Sequence, residues 1–329
     1  MTRFVLQRMA LVACAVVVGL GAAEVGLRLV ARTSSPLAWK LRDWDPYGSR
    51  LELLGPSYRA RPGTALRFPN GIVTRVNALG FRGPEVAMPK PAGTYRVVLL
   101  GGSTSHGYLV DDDDTIDAHL RRALAGGRSV EVVNLGLEGL DAICDEERLR
   151  REGLRLDPDA VVVHTGVNDV LALRLDRLAP NDTARGFRAQ QRQTEETRAR
   201  ARGPWAALKH VVFLARVPGI VRDLGKRPPA PLRGPPLPSA DALASFARTI
   251  RAIAALVLAT TSVLLSSPPT TSTFGALVQC GALVVDDATT ARYRAAIDAT
   301  LRRVAIDLAA AGRPVTYVPH ATVADELLD

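Results

Sequence analysis

A serine follows a strand-like run directly in the segment YRVVLLGGSTSHG, residues 95–107. The apolar run ends in Gly101 and Gly102, and Ser103 comes next. A serine on a tight turn at the carboxyl end of a buried strand lies where open α/β sheets place their chemistry. We therefore predict that Ser103 is a nucleophile. The same residues also fit an ordinary turn whose serine caps the next helix, so this segment alone leaves both interpretations open.

Two later segments share the pattern of a β-branched run that ends in small or amide residues. They are VEVVNLGLEGL at Val130–Leu140, and PDAVVVHTGVND at Pro158–Asp169, which ends in Gly166 and Asn168. The carboxyl ends of parallel strands meet at one edge of a sheet. The three strand ends are therefore predicted to assemble one site.

The residue types at these ends suit acyl transfer, which needs a nucleophile and hydrogen-bond donors aimed at a developing oxyanion. The backbone N–H groups of Ser103 and Gly139 and the side-chain amide of Asn168 would supply three donors. Gly139 suits this task because the absence of a Cβ lets an acyl oxygen approach the main chain.

On these residues the chain resembles the SGNH/GDSL hydrolase superfamily, which includes esterases and lipases. Ser103 in LGGSTS, Gly139 in VNLGLEGL and Asn168 in TGVND match its first three blocks, and VNALGFRGPE at 76–85 is similar to the lead-in of membrane-anchored bacterial members. Gly102 stands where many members have aspartate. The resemblance implies a serine hydrolase with Ser103 as nucleophile and Ser103, Gly139 and Asn168 as oxyanion donors.

The fourth block of the superfamily is an Asp-x-x-His pair that supplies and orients the general base, and no such pair follows Asn168 in the sequence. We expect the chain to end before its own base and to be a poor esterase. The best substitute is His320, which follows the strand-like run PVTYV, with Asp325 as a weaker orienting residue. The remaining histidines are expected in a loop or helix, in a helix, in the buried third strand and in an arginine-rich region, and are His106, His119, His164 and His210.

Strand and helix patterns alternate along the chain, which predicts a parallel sheet covered on both faces. We expect a flavodoxin-like α/β/α three-layer sandwich with five strands. The predicted strands are Arg96–Leu100, Val130–Asn134, Ala160–His164, Ser262–Ser266 and Pro314–Val318. The predicted helices are Thr115–Ala125, Asp145–Gly153, Ala240–Ala259 and Thr290–Ala311.

Three parts of the chain follow from this pattern. Residues 1–32 are predicted to be a signal anchor or a signal peptide, because the uncharged apolar run Met9–Ala23 follows Arg3 and Arg8. Residues 33–90 form a lead-in segment. Residues 91–329 form the hydrolase-like domain, which carries an arginine- and proline-rich insertion at about 183–240. We expect the domain to lie outside the cytoplasm, anchored to the membrane or secreted.

Composition argues against several other classes of protein. Lysine and arginine number 42 against 33 acidic residues, but the arginines are spread over helices without interleaved aromatic residues, so we expect no nucleic-acid partner. The run Asp111–Asp114 is predicted to cap a helix rather than hold a metal. No cofactor and no metal site are expected. Cys144 and Cys280 could pair in an oxidising compartment, but their spacing does not decide it.

The leading hypothesis is an esterase that removes short acyl or acetyl groups, by analogy from an envelope carbohydrate or lipid. An acyltransferase would use the same nucleophile and admit a sugar hydroxyl in place of water. A non-catalytic envelope protein that keeps the fold for binding or assembly is the third alternative.

Overall fold

The structure is a computed structural model, and it describes residues 2–31, 51–54, 57–67, 72–108, 110–166, 168–169, 208, 212–224, 238–266 and 287–319. Contacts divide the chain into two compact units. The first comprises Met1–Ser49, Arg67–Ile72 and Glu196–Arg227, and the second comprises Arg50–Leu66, Val73–Glu195 and Pro228–Asp329.

The second unit is built on a parallel five-stranded sheet. The strands in chain order are β5 (Thr94–Gly101), β6 (Ser129–Asn134), β7 (Ala160–His164), β8 (Ser262–Ser266) and β9 (Val315–Val318), and their order across the sheet is β6-β5-β7-β8-β9. This is the 2-1-3-4-5 order of flavodoxin-like folds. The predicted fold class and all five predicted strands are confirmed, with boundaries that differ by at most two residues at either end.

The strand register places the carboxyl ends of β5, β6 and β7, the strands that precede the three sequence blocks, side by side. Gly101 of β5 pairs with His164 of β7, and Leu99 of β5 pairs with Asn134 of β6. Because all three strands run in the same direction, the residues that follow them leave the sheet at one edge. In open α/β sheets ligands bind at this edge, at the point where the strand order reverses. Here that point is β5, because the next two strands in the chain, β6 and β7, lie on its two sides.

Residues on the strands alternate between two cores, because successive side chains point to opposite faces. Val98, Leu100, Val161 and Val163 belong to the larger core with helices α4 (Ala142–Arg151), α6 (Ala240–Leu256) and α7 (Asp287–Ala310). Val97, Leu99, Val132 and Ala160 belong to the smaller core beside α3 (Ile116–Leu124). The rigid β5 strand is thus buried on both faces, and Ser103 follows it at the start of the short helix α2 (Ser103–His106).

Three helices begin at side-chain caps that the sequence supplies. The side-chain oxygens of Thr115, Asp141 and Ser239 accept hydrogen bonds from the backbone N–H three residues later, which satisfies an otherwise orphaned donor. Thr115 therefore caps α3. The prediction that Asp111–Asp114 form this cap is wrong, because Asp112–Asp114 make a separate 3-10 turn in which Asp112 pairs with Arg82.

The lead-in segment contains four short strands that the sequence patterns did not indicate. They form two two-stranded sheets, and are β1 (Leu51–Leu54), β2 (Ser57–Ala60), β3 (Ala65–Arg67) and β4 (Val73–Arg75). The loop after β4 is organised by Asn77, whose side chain accepts hydrogen bonds from the N–H groups of Leu79 and Phe81 and donates one to the Pro84 carbonyl. This loop presents Arg82 to the chain that follows α2.

The first unit contains helix α1 (Thr2–Val30) and helix α5 (Val217–Leu224), which a 3-10 turn at Phe213–Arg216 precedes. Residues Gln7–Val30 of α1 are long and apolar enough to cross a membrane, with a mean hydropathy of 2.2, and none of this stretch is buried within the protein. The helix could serve as a membrane span or as a signal sequence.

Candidate active site

Ser103, Asn168 and the chain that leads into α4 meet at the carboxyl edge of the sheet. A small open pocket lies there. Its lining contains residues from all three blocks, namely Gly102, Ser103, Thr104, Leu140, His164, Thr165, Gly166 and Asn168. The prediction that the three strand ends assemble one site agrees with this arrangement for Ser103 and Asn168, and Gly139 adjoins the lining residue Leu140.

Ser103 is the first residue of α2, where a backbone N–H has no acceptor within the helix. Its neighbour Gly102 lies against the side chain of Asn168, since a Cβ added at Gly102 would be 2.5 Å from Asn168 Nδ2. The amide of Asn168 donates a hydrogen bond of 2.7 Å to the Leu140 carbonyl, which fixes its orientation. The close approach of Asn168 gives a physical reason for glycine at position 102.

Gly139 lies at the third position of a turn closed by a 3.3 Å hydrogen bond from the Leu140 N–H to the Leu137 carbonyl. Its φ of +79° matches the third position of a type II turn, a conformation that favours glycine. Gly139 is partly exposed and adjoins Leu140, which lines the pocket.

Gly136 is a second glycine whose missing side chain allows a close backbone contact. A Cβ there would lie 2.7 Å from the His106 nitrogen of the backbone and 2.8 Å from Ser105 Cβ. Asn134 reinforces the contact: its amide donates to the Ser105 carbonyl at 2.7 Å, and its oxygen accepts from the Gly136 N–H at 2.9 Å. The second block therefore holds the helix that carries Ser103.

His106, expected in a loop or helix, is the last residue of α2, and its side chain is buried against the second block. Its Nδ1 lies 3.0 Å from the Gly136 carbonyl oxygen and its Nε2 lies 3.4 Å from a carboxylate oxygen of Glu138. A carbonyl only accepts hydrogen bonds, so Nδ1 carries a proton. With both ring nitrogens facing these two groups, His106 serves to position the Gly139 turn.

Arg82 from the lead-in segment secures the other end of α2. Its guanidinium is buried and donates to the carbonyls of His106 at 2.8 Å, of Gly107 and of Val110 at 2.6 Å. It also pairs with Asp112. In the sequence, residues 81–83 (FRG) were only part of a resemblance. In the structure, Arg82 holds the end of α2, the helix that begins with Ser103.

Three buried aspartates lie behind the pocket. Asp169 accepts hydrogen bonds from the N–H groups of Ala142 and Gly166, both at 3.1 Å, and from the Thr165 hydroxyl at 3.3 Å, which ties the third block to α4. Burial raises the pKa of Asp169 well above its usual value, and burial likewise raises the pKa of Asp141. Burial, together with the nearby carboxyl of Asp141, raises the pKa of Asp145 to about 7.

His164 was expected to be buried in the third strand, and it is, but it also lines the pocket beside Ser103 and Asn168. Its Nδ1 lies 3.2 Å from the Ser266 hydroxyl oxygen at the end of β8. The alternation of side chains predicted its burial, whereas its place at the pocket depends on its position as the last residue of the strand. His119 lies on α3 as predicted.

Several predicted residues lie outside the described ones. They are His320, Asp325, His210, Cys280 and most of the insertion at 183–240. Cys144 is buried in the core, and the question of its pairing with Cys280, which the sequence left open, falls outside the described residues. Among the residues that the structure describes, no group of three or more histidine, cysteine, aspartate or glutamate side chains could hold a metal ion.

Comparison with solved structures finds proteins of similar architecture. The esterase AlinE4 of the SGNH-hydrolase family is 15% identical with a TM-score of 0.35, covering 70% of this chain and 77% of its own. A lipase/acylhydrolase from Enterococcus faecalis is 20% identical with a TM-score of 0.36, covering 67% and 74%. A catalytic mutant of the acetylxylan esterase Axe2 from Geobacillus stearothermophilus is 13% identical with a TM-score of 0.37, covering 71% of this chain and 80% of its own. No protein-family model and no curated protein sequence matches the chain.

The sheet order and the placement of the three blocks decide the architecture. The fold is SGNH-like. Within this SGNH-like fold, Ser103 follows β5, and the turn of Gly139 and the amide of Asn168 follow its two neighbours in the sheet, β6 and β7. At these sequence identities the likeness is one of fold, and activity is inferred below from the site residues.

Gly136→Ala should destabilise the protein by about 1–3 kcal/mol, because the new methyl group would press on the α2 backbone and the second block would have to move. Denaturant unfolding measures the change. Gly126→Ala is the matched control, since a Cβ at this exposed glycine meets nothing within 4 Å and should change stability by about 0.5 kcal/mol or less. Equal stability of the two variants would contradict the close contact.

The buried carboxyl of Asp145 should make stability depend on pH. Its pKa is about 7 in the folded protein against 3.8 for an ordinary aspartate, so the unfolded chain binds fewer protons between these values. The free energy of unfolding contributed by this group is therefore highest below about pH 4, falls as pH rises, and levels off above about pH 7. Asp145→Asn, which mimics the protonated form, should reduce this fall.

Thermal or denaturant unfolding of the parent and Asp145→Asn across this pH range provides the test. The difference in stability between the two should shift in favour of the variant as pH rises. A difference that stays constant from about pH 4 to about pH 8 would show that Asp145 keeps an ordinary pKa in the folded protein.

Proposed function

We propose that the protein is an SGNH-type serine hydrolase that cleaves ester bonds, with Ser103 as its nucleophile. The observation that carries the proposal is the pocket that Ser103 shares with Gly102, Leu140 and Asn168 at the carboxyl edge of the sheet. A nucleophile beside a preorganised amide and a glycine turn is the arrangement that acyl transfer requires.

In the proposed reaction the Ser103 hydroxyl oxygen attacks the acyl carbon while its proton passes to a histidine base. The carbonyl oxygen becomes an oxyanion that accepts hydrogen bonds from the Ser103 N–H, the Gly139 N–H and the Asn168 amide. The bond to the alcohol then breaks, and the alcohol leaves with the proton from the base. Water releases the acyl group in a second step of the same kind and restores Ser103.

The Asn168 amide is suited to this task by its other hydrogen bond. One of its two N–H groups donates to the Leu140 carbonyl, which fixes the side chain and leaves the second N–H for a substrate oxygen. A donor held in place before the substrate arrives costs no reorganisation when charge develops on the oxygen.

His320 is the proposed base, and Tyr317 occupies the position three residues before it, where the superfamily places an orienting aspartate. The Tyr317 hydroxyl donates a hydrogen bond to Asp298 on α7. In a serine protease, loss of the orienting carboxylate lowers turnover by about 10⁴. We therefore propose that this chain turns over simple esters slowly.

Ser103 should react with a fluorophosphonate probe, and Ser103→Ala should not. Asn168→Ala should lower the hydrolysis of p-nitrophenyl acetate by about 10²–10³, the usual cost of removing one oxyanion donor. Thermal unfolding of each variant checks that the fold survives. Equal labelling of the parent and Ser103→Ala would remove Ser103 from the mechanism, and a folded parent that is never labelled would favour a non-catalytic binding protein.

The base is tested with His320→Ala and His164→Asn, which alter the predicted base and the histidine that lines the pocket. His320→Ala should abolish the ester hydrolysis that depends on Ser103, since loss of a triad histidine costs about 10⁶ in turnover. His164→Asn should leave more activity, because Asn can keep a hydrogen bond to Ser266. The reverse order of effects would assign proton transfer to His164 and contradict the role of His320.

A further inference from the structure

A carboxylate inside the apolar helix α1 is bonded to a distant part of the chain. Glu24 lies within the apolar stretch Gln7–Val30 and accepts hydrogen bonds of 2.9 Å from the backbone N–H groups of Phe213 and Leu214. It also pairs with Arg28, one helical turn later, at 2.8 Å. A carboxylate in a membrane-spanning stretch is costly unless it is paired, and these partners meet that cost.

The partners belong to Val212–Leu224, which we call the return segment. It begins with the 3-10 turn and continues as α5. Its Ile220 is buried against Ala31, with Leu27, Val30 and Phe213 packed around them. The return segment therefore packs on the last two turns of α1 as well as bonding to Glu24.

Two arginines bracket the same contact. The guanidinium of Arg216 lies 4.0 Å from the centre of the Phe213 ring, and that of Arg28 lies 5.3 Å from it. Arg216 is buried, whereas the Arg28 side chain, which pairs with Glu24, is half exposed beside the end of the apolar stretch. The sequence that continues from α5 adds Lys226 and Arg227. Positive charge next to a membrane helix favours anionic lipid headgroups.

Apolar side chains are exposed on both elements. On α1 they occur along the whole apolar stretch, from Leu11 at 70% to Leu29 at 57%. On the return segment Val221 is 61% exposed, although its neighbour Ile220 is buried. An apolar helix exposed along its length is expected to lie in lipid, and the return segment is bonded to that helix about one to two turns before its end.

We propose that the return segment is a second membrane contact, an interfacial element that Glu24 holds at the level of the lipid headgroups. In this arrangement Val221 enters the acyl boundary, and the half-exposed Arg28 faces anionic headgroups. An amphipathic element that lies in the plane of the interface binds in two ways. It buries apolar area, and it is attracted to anionic lipid. The partner is thus the bilayer surface, and the inference is independent of any activity of Ser103.

The test places a single environment-sensitive fluorophore at position 221 of the full chain, through Val221→Cys in a background without the native cysteines. The protein is reconstituted in nanodiscs of phosphatidylcholine with phosphatidylglycerol, some lipids carrying a spin label near the headgroup. The fluorophore should be quenched by the labelled lipids. The matched variant Leu29→Cys, on α1 itself, reports that the helix is inserted.

Glu24→Ala removes the acceptor for both N–H groups of the return segment. It should abolish quenching at position 221 and leave quenching at position 29 unchanged, while Glu24→Gln, which keeps one acceptor oxygen, should retain part of it. Quenching at 29 without quenching at 221 in the parent would overturn the proposal, as it would place the segment in water or against another protein. Quenching at 221 that survives Glu24→Ala would overturn the role of Glu24.

Lipid charge provides the remaining arm of the experiment. Nanodiscs of phosphatidylcholine alone should quench position 221 less than those with phosphatidylglycerol, because the positive side chains lose their anionic partners. Equal quenching in the two kinds of nanodisc would contradict a contact between Arg28 and the anionic headgroups.

Discussion

The close approach of two glycine backbones to neighbouring elements determines the geometry of the candidate site. Gly136 has no room for a Cβ against the backbone of α2, and Gly102 has none against the amide of Asn168. These contacts let the three strand ends approach closely, and a side chain at either glycine would push them apart. The proposed hydrolase activity requires a nucleophile and oxyanion donors placed to within a fraction of an ångström, so the rest of the candidate site depends on these contacts.

Buried polar groups then fix the parts that the glycines bring together. Arg82 holds the carbonyls after α2, His106 and Asn134 hold the second block, and Asp169 holds the third. Each hydrogen bond satisfies a buried group that would otherwise destabilise the fold. The same burial raises the pKa of the aspartates behind the pocket, so stability of this region and the charge of its carboxyl groups are linked.

The first unit follows a different physical principle, in which one charged group in an apolar helix requires a partner. Glu24 obtains it from backbone N–H groups more than 180 residues later in the chain. A bond of this kind brings part of the insertion back to the end of the apolar helix. The arginines and exposed apolar side chains around it have the chemistry of a lipid interface.

The sequence by itself determined the fold class, the five strands and the placement of Ser103, Gly139 and Asn168 at strand ends, because hydrophobic periodicity and glycine positions are local signals. It did not indicate the strands of the lead-in segment, which are short and lack a clear alternation. It assigned the cap of α3 to Asp111–Asp114, whereas Thr115 takes that position because its hydroxyl reaches the N–H of Ala118.

Only the tertiary structure decided which polar residues support the site. Arg82, His106 and Asp169 are separated by up to 87 residues in sequence, and most of their partners are backbone groups, which carry no residue-specific signal. The bond of Glu24 to Phe213 is of the same kind. Local patterns report what a segment can form, but long-range contacts depend on how the packed sheet and helices bring distant backbone groups together, which no single stretch of sequence encodes.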